Sequence, residues 1–137
     1  MKHIPSSLEL GYTVIRIALG IVFVVSGFNK IAHTWTQGSD MLIQIGSTMG
    51  LFGITFGYMY WGLLAAITEF FCGLAYIIDV YVRCASVPLI ILLIVAIKYH
   101  LHKGDPFSVW GFAFICLSIA IGVLIAGKGD ENHRNNT

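Results

Sequence analysis

The chain has 137 residues, of which 57% are hydrophobic and only 11% are charged, and its mean hydropathy is +0.82. A soluble domain is about half apolar and about a quarter charged, and one this short could not bury so much apolar surface. The formal net charge of +1 excludes a general electrostatic attraction to nucleic acid. The composition therefore predicts a single-domain integral membrane protein.

Four apolar runs are long enough to cross a bilayer, since a spanning helix needs about twenty mostly apolar residues. They cover residues 10–31, 58–78, 84–101 and 107–126. The first run has no small-x-small cleavage site, so we interpret it as an uncleaved span rather than a signal peptide. The runs predict an all-α transmembrane four-helix bundle over residues 1–127, followed by a polar, disordered tail over 128–137.

Local capping signals locate two helix starts. Ser6 and Glu9 have the spacing of a capping box, which predicts that the first helix begins before the membrane. Asp105 followed by Pro106 predicts an N-cap residue and a proline at the first helical position of the fourth span.

The link between the first two runs has a helical pattern of its own. Apolar residues recur there at helical spacing, namely Met41, Leu42, Ile45, Met49 and Phe52. This pattern predicts a short amphipathic helix on the membrane surface. A surface loop that only connects the two spans is the open alternative.

The three cysteines, Cys72, Cys84 and Cys116, lie in or beside apolar runs. Their number is odd and no CxxC motif is present, which argues against a disulfide framework and against dithiol chemistry. We therefore predict three inert, buried thiols.

The distribution of Lys and Arg predicts the orientation, because cytoplasmic flanks are enriched in these residues. The side that holds both termini carries Lys2, Arg16, Arg83, Lys128 and Arg134, and the other side carries Lys30, Lys98 and Lys103. Five against three favours cytoplasmic termini.

Two stripes of residues run along the first and second spans at spacings of three and four. They consist of Arg16, Gly20, Phe23, Gly27 and Lys30 in the first span, and Gly62, Ala66, Glu69, Gly73 and Tyr76 in the second. Small residues allow transmembrane helices to approach closely, so Gly20, Gly27, Gly62 and Gly73 are predicted to pack against another helix.

Glu69 is the acidic residue of the second span, and an ionised side chain at mid-bilayer costs at least ~3 kcal/mol on insertion scales. It must therefore be neutral, paired or beside water. We expect it to pair with Arg16, with Lys30 a poorer partner nearer the opposite surface. Two roles stay open. Either the pair only sets the register of the helices, or Glu69 is a functional carboxylate that handles a proton or a ligand beside a lipophilic pocket.

A second polar group lies at the outer mouth of the bundle, comprising Lys30, His33, Lys98, His100, His102, Lys103 and Asp105. This group suits an anion, a lipid head group or a quinone carbonyl, and plain interfacial solvation also explains it. No metal site is expected, because His100 and His102 point in nearly opposite directions on a helix and no ligand set is complete.

The chain resembles the DoxX family of small bacterial membrane proteins in the pattern R-x3-G-x2-F-x3-G-x2-K of the first span. The resemblance continues through Met49-Gly50-Leu51, Glu69 with Gly73, Arg83, and His100 with Gly104-Asp105. The sequence DVYVR departs from the glycine and threonine that often precede the arginine in that family. The resemblance implies a four-helix inner-membrane protein whose relatives are linked to quinone, thiol or oxidative-stress systems, often as partners of other proteins.

These observations favour a membrane subunit of a redox or detoxification system. The expected ligand is a quinone or another small lipophilic molecule at an intramembrane site of Arg16, Glu69, Lys30, Lys98 and His100. The chain has no nucleotide fingerprint, so its electron source would be a partner protein. The alternatives are a scaffold without a ligand and, with less support, a small transporter; homo-oligomerisation is left open.

Overall fold

The computed structural model describes residues 6–127. Within them the chain forms five α-helices and no strand: α1 (Ser7–Gln37), α2 (Asp40–Gly46), α3 (Tyr58–Ile78), α4 (Val82–Lys103) and α5 (Phe107–Ala126), with a 3-10 helix (Ser47–Phe52) between α2 and α3. Four of the helices are long and apolar enough to cross a membrane. The predicted all-α, four-span architecture is confirmed. The predicted disordered tail, and with it Lys128 and Arg134, lies outside the described residues, as does Lys2.

Of the two predicted helix starts, one is confirmed and the other is wrong by one residue. The capping box at α1 is confirmed, because the Ser6 hydroxyl accepts a bond from the Glu9 N–H and the Glu9 carboxylate accepts one from the Ser6 N–H. At α5 the prediction is wrong by one residue, since Pro106 is the N-cap and Phe107 the first helical residue. Asp105 is engaged elsewhere: its carboxylate lies 2.8 Å from His100 Nδ1.

The four long helices form an antiparallel bundle. α1 packs mainly on α3, α3 also packs on α4, α4 packs on α5, and a smaller contact between α1 and α5 closes the ring. Fully buried Tyr76, Leu89 and Ala120 come from three different helices and mark the centre of the core. The outer surface carries many exposed apolar side chains, such as those of Phe71 and Phe112, as expected where a bundle meets acyl chains.

The link between α1 and α3 is helical, which decides between the two interpretations of its sequence. Its first half is α2 and its second half is the 3-10 helix. α2 packs against α3 with Leu42 buried, and glycines on both sides, Gly46 and Gly62, bring the two backbones into contact. The link thus covers one flank of α3.

All three cysteines are free thiols. Cys72 and Cys116 are buried in the core, as predicted, but Cys84 is exposed. The prediction fails for Cys84 because it lies on the outward face of the first turn of α4, where an apolar neighbourhood in sequence means contact with the surroundings rather than with the core.

Candidate functional site

Two glycine contacts bring α1 and α3 together. A Cβ placed on Gly20 would lie 2.7 Å from the Gly73 carbonyl oxygen, and one placed on Gly27 would lie 2.6 Å from the Ala66 carbonyl oxygen. Neither position has room for a side chain, and such small residues are what permit close helix approach in lipid. Gly62 lies on the same stripe of the second span as Gly73, but it packs against the backbone of Leu42 in α2 rather than against α1.

Glu69 lies in this helix interface and pairs with Lys30. The Lys30 Nζ lies 2.6 Å from both carboxylate oxygens, and the Ser26 hydroxyl donates to Oε2 at 2.9 Å. Because Ser26 and Lys30 are four residues apart on α1, they reach the carboxylate from the same helix face. The Lys30 and Glu69 side chains are 18% and 10% exposed, so the pair is largely withdrawn from its surroundings.

The expected pairing of Arg16 with Glu69 is wrong. The contact of Gly73 with both Gly20 and Val24 places Glu69, one turn earlier on α3, about level with Ser26 of α1. Glu69 is then about 6 Å along the axis from Lys30 and about 15 Å from Arg16. Helical side chains also lean toward the N-terminus of their own helix. In an antiparallel pair, Lys30 and Glu69 therefore lean toward each other, whereas Arg16 leans away from the carboxylate.

Arg16 stabilises the end of α3 instead. Its Nη1 donates to the Tyr76 carbonyl oxygen and lies 3.5 Å from Asp79 Oδ1. Arg16 is only 4% exposed, whereas the Asp79 side chain is 63% exposed. A cation that bonds the last carbonyls of a helix satisfies acceptors that have no partner within that helix and complements its dipole. Arg16 is thus buried, as expected, but it serves a different acceptor.

Residues 11–103 match the model of the DoxX family. The chain belongs to the DoxX family. No curated protein and no solved structure matches it. The family match covers α1 from Gly11 onward, α3 and α4, and it contains both ion pairs between α1 and α3, whereas α5 lies outside it.

Lys98 and His100 of this DoxX protein are not joined to the Lys30–Glu69 pair. The Lys98 Nζ lies 4.4 Å from the centre of the Phe52 ring, on the 3-10 helix. His100 pairs with Asp105 at the turn between α4 and α5. The five site residues named from the sequence are therefore divided among four local environments, and only Lys30 and Glu69 meet.

His33 lies three residues beyond Lys30 on α1. Its Nδ1 is buried and has no hydrogen-bond partner among the residues that the structure describes. Arg16 Nε is the other buried side-chain atom without a partner in that part of the chain, and such atoms are uncommon in proteins. The DoxX pattern ends at Lys30, and the sequence placed His33 only in the polar group at the outer mouth.

Sequence reasoning missed three polar partners: Ser26, Asp79 and Ser86. Ser26 sits one turn before Lys30 on the same face, and this spacing was the available signal. In the core, the Tyr76 hydroxyl donates to Ser86 Oγ at 2.6 Å, and the Ser86 hydroxyl donates to the Val82 carbonyl at 2.8 Å. That buried chain joins α3 to α4 and leaves neither hydroxyl unsatisfied.

Proposed function

We propose that this DoxX protein is a membrane subunit of a redox or detoxification system and holds a quinone or similar small lipophilic molecule beside the Lys30–Glu69 pair. The observation that supports this is the pair itself, an ammonium and a carboxylate 2.6 Å apart within an interface of two apolar helices. Ionisable groups inside spans are costly, so they are candidates for function by default.

The groups around the pair suit a ligand that carries carbonyl oxygens. The Lys30 side chain is 18% exposed, and its ammonium has three donor hydrogens, more than its contacts with the two Glu69 oxygens use. His33, one turn along α1, brings a buried nitrogen that has no partner within residues 6–127. Glu69 is an acceptor for a hydroxyl proton. A quinone supplies the electron-carrying chemistry, and a partner protein of the same system would supply the electrons.

A binding measurement tests the proposal. The full chain is placed in lipid nanodiscs and titrated with a short-chain ubiquinone analogue, with quenching of tryptophan fluorescence as the signal. We expect Lys30→Gln and Glu69→Gln each to weaken binding by about tenfold or more, equivalent to about 1.4 kcal/mol. The matched control is Asp79→Asn, which removes the other ion pair between the same two helices and should leave binding unchanged. Equal affinity in all four proteins would refute the proposal.

A scaffold without a ligand is the second candidate, and one observation favours it. Both oxygens of Glu69 already have partners in Lys30 and Ser26, as a pair that only sets helix register would. In that case the variant that combines Lys30→Met with Glu69→Leu should still co-purify with its partner protein. No small lipophilic molecule should then appear in mass spectra of the gently purified wild type.

We further propose a bacterial inner-membrane location with both termini in the cytoplasm. Support comes from the unequal distribution of Lys and Arg along the sequence. The Lys30–Glu69 pair would then lie nearer the outer surface than Arg16 does, because Lys30 is closer to the C-terminal end of α1.

A further inference from the structure

A second feature, separate from the Lys30–Glu69 pair, is an apolar cavity of about 250 Å³. It lies between α3, α4 and the link made of α2 and the 3-10 helix, and no residue of α1 lines it. Its walls include Met49, Trp61, Ala65, Ile91, Val95 and Ala96. Neither Lys30 nor Glu69 belongs to the walls, so the inference does not rest on the proposed function.

The dimensions of the cavity suit one apolar chain. Its volume is just below the range of roughly 300–1,000 Å³ typical of sites for drug-sized molecules. Its wall on α4 extends from Pro88 to Ala96, which is about 12 Å along the helix. The cavity is therefore elongated along the direction in which acyl chains lie in a bilayer.

The cation of Lys98 lies beyond this wall, toward the C-terminal end of α4. Ile91, Val95 and Lys98 recur at spacings of four and three, so Lys98 continues the cavity stripe toward the end of α4. Its Nζ contacts the ring of Phe52, the last residue of the 3-10 helix that contributes Met49 to the cavity. No carboxylate among residues 6–127 forms an ion pair with Lys98.

We propose that this cavity binds one apolar chain of an anionic amphiphile, with its carboxylate or phosphate head group beside Lys98. The walls offer an apolar chain a nearly non-polar surface, and only Thr48 and Thr68 among the lining side chains carry a polar atom besides the tryptophan N–H. A neutral ligand would leave the ammonium without a counter-charge. An anionic head group supplies one at the depth where lipid head groups lie.

Photo-crosslinking in nanodiscs of phosphatidylcholine tests this with three probes of matched chain length. Two are anionic, a diazirine fatty acid and a diazirine phosphatidylglycerol, and the third is the neutral diazirine fatty alcohol. Labelled peptides of the full chain are mapped by mass spectrometry. We expect at least one anionic probe to label the peptides of Met49 and Trp61 about fivefold more than the alcohol does, as one lysine–anion contact of about 1 kcal/mol implies. The anionic probe that labels more strongly shows whether the bound apolar chain belongs to a fatty acid or to a phospholipid.

Two pairs of variants make the result specific. Lys98→Gln should abolish the preference for the anionic probe, whereas Lys103→Gln should not, although Lys103 also lies over an aromatic ring near the same helix end. Ala96→Phe, which fills the cavity, should abolish labelling there by every probe, whereas Ala126→Phe on the exposed end of α5 should not. Equal labelling by charged and neutral probes, or an equal effect of Lys98→Gln and Lys103→Gln, would overturn the proposal. The lysine variants alter exposed side chains and decide the question even if Ala96→Phe does not fold.

Discussion

The two ion pairs between α1 and α3 differ in how far each partner is withdrawn from its surroundings. In Lys30–Glu69 both side chains are mostly covered, whereas in Arg16–Asp79 the arginine is buried and the aspartate is largely exposed. Removing one partner of a buried pair leaves an uncompensated charge in a medium of low dielectric constant, whereas an exposed partner is replaced by water. The two pairs should therefore respond differently to substitution.

Glu69→Gln should lower the free energy of unfolding by about 3 kcal/mol, because it leaves the Lys30 ammonium without its counter-charge. Replacing both partners, Lys30→Met with Glu69→Leu, should cost less than the single substitution. A double-mutant cycle from denaturation in mixed micelles measures this coupling. Additive effects of the two changes would show that the pair contributes no interaction energy.

Asp79→Asn should change stability by less than about 1 kcal/mol, since the carboxylate is mostly exposed and asparagine tolerates the left-handed backbone at this position, where φ is 60°. Arg16→Met should cost about 2 kcal/mol, because the Tyr76 carbonyl loses its buried guanidinium donor. The same denaturation assay compares the two variants. A larger loss in Asp79→Asn would assign the stabilising role to the ion pair rather than to the helix end.

At the scale of elements, the glycine contacts between α1 and α3 decide which polar groups can meet. They set the two helices at backbone contact and determine the axial level of every residue on both. A shift of one turn, about 5.4 Å, would move Glu69 relative to Lys30 by as much as the lysine side chain can span. The packing of small residues and the ion pair thus specify the same register.

Gly20→Ala should destabilise the bundle by about 1–3 kcal/mol, since its methyl group would meet the Gly73 carbonyl oxygen and separate the helices. Gly122→Ala is the matched control in α5, because nothing lies within 4 Å of its added Cβ. That control should be neutral or stabilising by up to about 1 kcal/mol through helix propensity. Thermal denaturation of the two purified variants makes the comparison, and equal effects would contradict close packing at Gly20.

At the scale of the whole molecule, the bundle presents apolar side chains outward, and the charged residues within 6–127 lie at its two ends and in the interface between α1 and α3. α1 alone, at 31 residues, is about 46 Å long, which exceeds the roughly 30 Å hydrocarbon thickness of a bilayer. Part of α1 therefore lies outside the hydrocarbon region. The turn between α3 and α4 shares one side of the bundle with the start of α1.

Cysteine accessibility in intact bacterial cells should report the orientation. In a background without the three native cysteines, Val80→Cys, at the turn after α3, should react with a membrane-impermeant maleimide only after permeabilisation. Lys103→Cys, at the opposite end of the bundle, should react in intact cells. Both positions are exposed. The reverse pattern would place the termini outside.

The sequence by itself determined the number, type and approximate bounds of the spans, because hydrophobicity over about twenty residues is a local property. α3 and α5 begin and end where the apolar runs do. The capping box and the glycine contacts of Gly20, Gly27 and Gly73 with a neighbouring helix also follow from local spacing and residue size, whereas the sequence left open whether the link is a helix or a loop. The same local signals placed Arg16 and Glu69 inside the bundle, where both are buried.

Only the tertiary structure decided which charges meet. The pairing of Glu69 with Lys30 rather than Arg16 depends on the axial level of two helices that are joined by a link of about twenty residues, and no local pattern encodes that level. It depends equally on the lean of each side chain toward its own N-terminus, which favours one partner and disfavours the other only once the helices are placed side by side. The cavity beside Lys98 arises in the same way, from three segments that are adjacent in space but distant along the chain.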